Sequence, residues 1–447
     1  MRAGGRNRRG AVLRNRHLPD RPADTRLKAQ GKRSHQDQQM SVQVAAPASP
    51  RERFHALDGA RAIMLLLGIP FHTAAMYTLS GGWLVDAHER SFLASLISAL
   101  VHSFRMPGFF ILAGFFAAML LARRPAGQWL SSRVKRLLLP FASSLLLLGG
   151  WEVYWMGVGA GLEPAAAFAW TLEQFPGRWV NHRWFLIVLF AYCTIIAAVH
   201  AAPALGARLQ AAWRWLGPFR LPVLLVVLPI AAQYLTAELG TLLPRGETRV
   251  NLQRTVMFAP YFLIGALAFA DNQLSRLVFR PKLAFRILGV VLLLAYCVLT
   301  LAFGDFLALT GFPRALTRPL AFSVTALSGV FVAALFYYYV GKAFATGRAT
   351  VRYFVAASLV IYLFHEVFLL PLGVAFRLVD WPAGIEMLAI AMATLAGTLL
   401  VFEAIRRSTW LSFLFNGGPA SPAQPSAFAL TRRFRQELAG GDCGKRI

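Results

Sequence analysis

The stretch Tyr353-Phe-Val-Ala-Ala-Ser-Leu-Val-Ile-Tyr-Leu-Phe-His-Glu-Val-Phe-Leu-Leu-Pro-Leu-Gly-Val-Ala-Phe376 decides the fold. It is apolar on nearly every helical face and long enough to cross a hydrocarbon core about 30 Å thick at about 1.5 Å per residue. A soluble surface helix would carry one apolar stripe instead. Nine similar runs surround it, which gives spans at 61–79, 93–121, 137–157, 184–202, 221–237, 256–271, 285–303, 319–341, 353–376 and 384–405. The expected fold is therefore all-α, a polytopic transmembrane helix bundle of about ten spans. The second run is long enough to need tilt or a kink. Pro222 and Pro229 make the fifth the weakest. No internal repeat of the kind common in transporters is visible.

Composition agrees. The chain is 57% hydrophobic and only 15% charged, with mean hydropathy +0.53, whereas a soluble chain carries about 25% charged residues. The net charge of +26 would suit nucleic acid if it formed one surface, but it does not. Thirteen of the 46 Lys and Arg residues precede Arg61 and seven follow Phe402. Loops 122–136, 203–220, 272–284 and 342–352, counted to the flanking helix ends, hold fifteen bases against the single acid Asp271. The intervening loops mix nine bases with nine acids. The positive-inside rule then puts the first set of loops and both termini in the cytosol. The expected setting is a lipid bilayer, with the bilayer as a partner and nucleic acid excluded.

Residues 1–52 read as a disordered basic tail, 53–415 as the membrane domain, and 416–447 as a second disordered basic tail. Translation starting at Met40 would remove most of the first tail. Cys193, Cys297 and Cys443 make neither a disulfide framework nor a zinc framework. Trp83, Trp129, Trp179, Trp184, Trp213, Trp381 and Trp410 fall near span ends, where indoles anchor at the interface.

Ionisable groups inside the spans ask for a partner or a task, since a charge at the bilayer centre costs about 2.5–3.5 kcal/mol on insertion scales. Arg61 and His72 share the first span. Their spacing puts them within about 20° of one helix face and roughly 16 Å apart along the axis, a polar path from the basic side toward mid-membrane. Gly68 and Pro70 lie between them and should bend the helix. His102 and Arg105 share a face of the second span. Ser358, Tyr362 and His365 share a face of the ninth, with Glu366 adjacent. Three histidines at similar depth suggest one polar cavity. His102, Glu152 and Glu403 read equally well as helix-bridging groups. No H-x3-H or HExxH spacing is present, so no metal is expected. Arg133-Val-Lys-Arg136 brings two guanidinium groups, whose forks suit phosphate, to the entry of the third span. No GxGxxG, Walker or GxSxG motif occurs.

These residues resemble the acyltransferase-3 family of membrane O-acyltransferases. Arg61 to His72 matches its R-x10-H in a first membrane helix, and Arg133-x-x-Arg136 looks like its second basic motif. His182-Arg-Trp-Phe-Leu186 resembles its H-x-W-F-L entry to a later helix. Ser358 through Tyr362 to His365 resembles its S-x3-Y-x2-H motif. Within the family, Leu57-Asp58, Leu67 to His72 and His102 to Met106 look like the members that succinylate osmoregulated periplasmic glucans. The resemblance covers residues 53–415 and implies an enzyme of the bacterial inner (cytoplasmic) membrane with a cytosolic acyl-CoA donor and a periplasmic glucan acceptor. No cofactor would be bound permanently; succinyl-CoA or acetyl-CoA would be the co-substrate. Other glucan-synthesis proteins would be natural partners, and oligomeric state is left open.

On that resemblance Arg61, Arg133 and Arg136 would hold the donor phosphates, and His72 would deprotonate the acceptor hydroxyl or carry the acyl group itself. His102 or Arg105 would stabilise the oxyanion or pair with the succinyl carboxylate, the latter role favouring Arg105. His182, Trp184, Ser358, Tyr362, His365 and Glu366 would form the supporting cavity. Two other acceptable readings are an O-acetyltransferase of another cell-surface polysaccharide and a proton-coupled secondary transporter. Acyl transfer by detergent-solubilised protein separates enzyme from transporter.

Overall fold

The computed structural model describes residues 50–302, 314–344 and 349–418. The two tails read from the sequence, and Cys443 with them, lie outside the described residues apart from positions 50–52, which begin the first helix, and 416–418.

Among the described residues there is no strand. Ten helices are long and apolar enough to cross a membrane: spans 1 to 10 are Ala56–Met76, Phe92–Leu121, Ala126–Gly159, Gly177–Ala201, Gly217–Leu242, Glu247–Ala270, Leu283–Leu301, Leu316–Ala343, Ala349–Leu378 and Ala383–Arg407. They correspond one for one with the apolar runs of the sequence. Most extend further at their polar ends, where hydropathy fades while backbone pairing continues. Hydrocarbon offers no hydrogen-bond partners, so each segment satisfies its own N–H and C=O groups as helix. The chain is a multi-pass membrane protein.

The helices break where the site is built. Span 1 comprises Pro50–Leu66 and Gly68–Met76, joined at Leu67. Pro70 has no N–H to return to the carbonyl of Leu66, which explains the break. Span 2 comprises Phe92–His102 and Arg105–Leu121, separated at Ser103 and Phe104; Pro107 stands one turn inside the second half. Span 5 survives its prolines because Pro222 closes a short helix before a π-helical turn, Val223–Val227, and Pro229 falls in the first turn of Leu228–Leu242.

Close packing relies on missing side chains. A Cβ on Gly265 would lie 1.8 Å from the Ile111 carbonyl oxygen, and one on Gly114 would lie 2.0 Å from that of Phe262. Spans 2 and 6 therefore touch backbone to backbone, the small-residue packing typical where lipid supplies no hydrophobic drive. Span 7 instead turns Leu283, Ile287, Val291 and Leu294 outward, an apolar surface suited to lipid.

The tryptophans divide. Trp381 and Trp410 are largely exposed, as interface anchors should be. Trp129 is only 1% exposed beneath the Arg133 guanidinium. Trp179 fills the space left by Gly149 and Gly150 and donates through Nε1 to the Thr171 carbonyl, 2.9 Å. Trp83 and Trp184 line an internal cavity. These four pack against protein instead of standing free at an interface; Trp179 and Trp184 do so at the short helix and turn that begin span 4.

Candidate active site

The breaks in spans 1 and 2 and the turn Asn181–Arg183 in span 4 open a cavity of about 730 Å³ toward the side carrying loops 77–91 and 243–246. His72, His102, Arg105, His182, Trp184, Tyr362, His365 and Glu366 all line it. Four separate spans thus deliver four histidines to one place. The ring centroids of His72 and His365 are 5.1 Å apart, and those of His182 and His365 are 4.8 Å apart.

Glu366 is the centre of the cluster, with 1% of its side chain exposed. Its Oε2 accepts from Asn181 Nδ2 and lies 3.2 Å from His182 Nδ1. Its Oε1 faces His72 Nδ1 at 3.8 Å and His365 Nε2 at 4.0 Å. The ring of His365 is oriented from its own helix, because Nδ1 lies 2.7 Å from the Tyr362 carbonyl, the acceptor of that hydrogen bond. This assigns the proton to Nδ1 and leaves Nε2 as an acceptor. Tyr362 donates its hydroxyl to the His182 carbonyl at 2.5 Å, tying span 9 to the turn in span 4.

A second tier supports this one. Arg183 donates to both oxygens of Glu152, at 2.9 and 2.6 Å, and the pair is fully buried. Such a bidentate pair offsets the cost of burying each charge alone. Asn181 Nδ2 also donates to Glu152 at 3.1 Å. Asn181 has φ of 39° with ψ of −131°, a conformation L residues rarely adopt, and its carboxamide bridges the two carboxylates. Glu152 does bridge helices, and it does so as part of the site. Glu403 pairs with Arg406 at 3.4 Å within span 10.

Arg105 enters the cavity through space left by a glycine, since a Cβ on Gly68 would lie 2.9 Å from its Nη1. Its guanidinium lies over Phe71 at 4.9 Å, and His102 stacks on the same ring at 5.5 Å. No carboxylate lies within ion-pair distance of Arg105 among the described residues. Ser358 does not line the cavity; its hydroxyl donates to the Val355 carbonyl of its own helix, 2.9 Å.

Arg61, Arg133 and Arg136 stand apart, toward the opposite end of span 1. Arg133 is within Coulombic reach of Arg61, Arg124 and Arg136, so these bases form one cluster. A π-helical turn, Val134–Leu138, carries Lys135 and Arg136, an irregularity frequent at functional sites. Between Arg61 and Gly68, span 1 passes apolar neighbours: Met64, Leu65, Met106, Phe109 and Phe185 close in around Arg105 and Tyr362, leaving about 10 Å³.

Two groups of donor atoms have metal-ligand proximity, His72 with His365 and Glu366, and Glu152 with His182 and Glu366, each within 4.8 Å. Sequence spacing could not show this, because the ligands come from different spans. In the second group the carboxylates are already engaged by Arg183 and Asn181. In the first, His72 Nδ1, His365 Nε2 and Glu366 Oε1 are buried without a hydrogen-bond partner among the described residues. A proton on His72 Nδ1 directed at Glu366 Oε1 would leave His72 Nε2 as the acceptor for a hydroxyl in the cavity.

A family profile described as an acyltransferase domain matches residues 54–403. Glucans biosynthesis protein C of Escherichia coli strain SMS-3-5 is 27% identical over 388 residues, covering 83% of this chain and 96% of that protein. The protein of the same name from Escherichia coli strain K12 is 26% identical with the same coverage. No solved structure matches.

Proposed function

The chain belongs to the acyltransferase-3 family of membrane O-acyltransferases, and from that premise we propose that it moves a succinyl group from cytosolic succinyl-CoA to hydroxyls of a periplasmic glucan, working within the bacterial inner membrane. One observation carries the reading: His72, His182 and His365 converge on Glu366 in a cavity separated from a cluster of arginines. Acyl-CoA and glucan meet from opposite faces, and a two-ended site suits them.

In this mechanism Arg61, Arg133 and Arg136 hold the donor phosphates by charge-assisted hydrogen bonds. The pantetheine arm passes the constriction at Met64 and Phe185 and delivers the thioester to the cavity. Glu366 Oε1 accepts from His72 Nδ1–H, a contact that tightens from its present 3.8 Å when substrate fills the cavity. Nε2 of His72 is then the basic nitrogen, neutral and free to take the proton of a hydroxyl set against it. The glucosyl oxygen attacks the thioester carbon while its proton passes to His72. Collapse of the tetrahedral intermediate expels the CoA thiolate, which takes that proton back. Arg105, lacking a carboxylate at ion-pair distance among the described residues, pairs with the succinyl carboxylate, and His102 lies close enough to aid the oxyanion.

Succinyl incorporation into glucan by membranes carrying His72→Ala is the direct test. Loss of at least about 10²-fold is expected when a general base is removed. Substantial remaining transfer would refute the assignment. Acetyl-CoA in place of succinyl-CoA tests the donor: Arg105→Ala should impair succinyl transfer far more than acetyl transfer.

A further inference from the structure

The catalytic cavity does not end at its mouth. A second groove of about 410 Å³ adjoins it, lined by Glu173, Gln174, Phe175, Arg178 and Glu247. Arg178, Glu247 and Val250 line both spaces, so the two meet at these residues. The walls are the loop before span 4 and the start of span 6, which approach closely: a Cβ on Gly177 would lie 3.2 Å from Glu247 Cγ.

The chemistry of the groove is specific. Phe175 is 51% exposed, an aromatic ring turned to solvent and braced edge-on by Trp179 at a centroid distance of 5.0 Å. Around it stand two carboxylates, a carboxamide and one guanidinium, the last held over Trp170 at 5.4 Å. Planar polar groups of both signs suit the clustered donor and acceptor hydroxyls of a sugar, and an aromatic face suits its C–H surface. Two acids against one base disfavour a phosphate or an anionic lipid headgroup. Deeper in, Trp83 repeats the motif, its ring centroid 5.4 Å from that of His72.

We propose that the cavity and the groove together form an oligosaccharide subsite array. A glucosyl unit rests on Trp83 with a hydroxyl at His72, and neighbouring units of the same chain extend outward over Phe175 between Glu173 and Arg178. The enzyme then acts on internal or long-chain glucan in preference to single sugars. This rests on the acyl-to-glucan reading and adds the acceptor's length and direction of binding.

The test compares succinyl transfer to methyl glucoside and to long linear gluco-oligosaccharides, using the full chain in native membranes. Wild-type protein should favour the long acceptor in kcat/KM. The double variant Glu173→Ala with Phe175→Ala should lower the long-to-short ratio about tenfold, as expected for losing one or two contacts of ordinary strength. Phe175→Tyr, which keeps the ring, should restore most of the ratio. A double variant with the wild-type ratio would overturn the outer subsite while leaving the acyltransferase reading intact. Wild-type protein that succinylates neither acceptor would overturn the glucan reading itself, and the subsite with it.

Discussion

Glu366 accepts from Asn181 through one oxygen and turns the other toward His72 and His365. Glu366→Gln preserves its volume and removes only the charge. The expected result is a kcat lowered by about 10²-fold, within the usual range for acid–base groups, with little change in the KM for acyl-CoA. A wild-type kcat would take Glu366 out of the mechanism. The three buried, unpartnered atoms His72 Nδ1, His365 Nε2 and Glu366 Oε1 make the site vulnerable. Added Zn²⁺ should inhibit by capturing His72, His365 and Glu366, and EDTA should restore activity. Insensitivity to zinc would show that the three atoms cannot be reached together. Much of this cluster was legible in the sequence: His72 and His365 stand out as ionisable groups in apolar runs. Asn181 and Arg183 do not, because a polar pair ahead of a helix looks like an ordinary cap. Their partners sit at Glu152 and Glu366, and Asn181 is 29 and 185 positions from those residues. Trp83 was hidden for a similar reason, since an indole near a span end has an interfacial explanation ready to hand.

At the scale of elements, spans 2 and 6 test the packing. Gly265→Val would drive a side chain into the Ile111 carbonyl, and overpacking of this kind costs about 1–3 kcal/mol or more. A lower melting temperature and yield in detergent are expected, and an unchanged melting profile would mean that the spans can separate cheaply. The loop carrying Trp83 has its own brace. Asp86 accepts from the N–H groups of Gly82 and Trp83 at 2.9 and 3.2 Å and from Arg90 at 3.2 Å. Burial pushes its carboxyl up, but Arg90 and the two N–H groups outweigh this and hold it below its ordinary 3.8. Its contribution is therefore complete above pH 3.8 and is lost as pH falls through the depressed folded value. Asp86→Asn should weaken acceptor binding at neutral pH without affecting donor KM, which acceptor titrations would reveal. Hydropathy read all ten spans, and Pro70 announced the break in span 1. The π-helical turns were not legible, because they accommodate neighbouring helices and carry no local signal.

For the molecule as a whole, the arginine cluster and the histidine cavity should be separable in kinetics. Arg133→Ala with Arg136→Ala is expected to raise the KM for acyl-CoA roughly tenfold or more, as two charged contacts are lost, while the acceptor KM stays put. An unchanged donor KM would place phosphate binding elsewhere. A helical wheel records direction along span 1 but not what neighbouring helices bring. Here they bring Met106, Phe109 and Phe185 against Met64 and Leu65 of span 1 itself. That constriction has an electrical meaning. A membrane that stores energy as a proton gradient is a charged capacitor, and a continuous file of water through it would drain the charge. Methionine and phenylalanine around about 10 Å³ of space deny water that file. A flexible thioether can still yield to a slender thioester arm. On the proposed mechanism a chemical group would pass without current passing. Widening the constriction with Met64→Ser should make sealed vesicles leak protons, whereas the native protein should keep them tight.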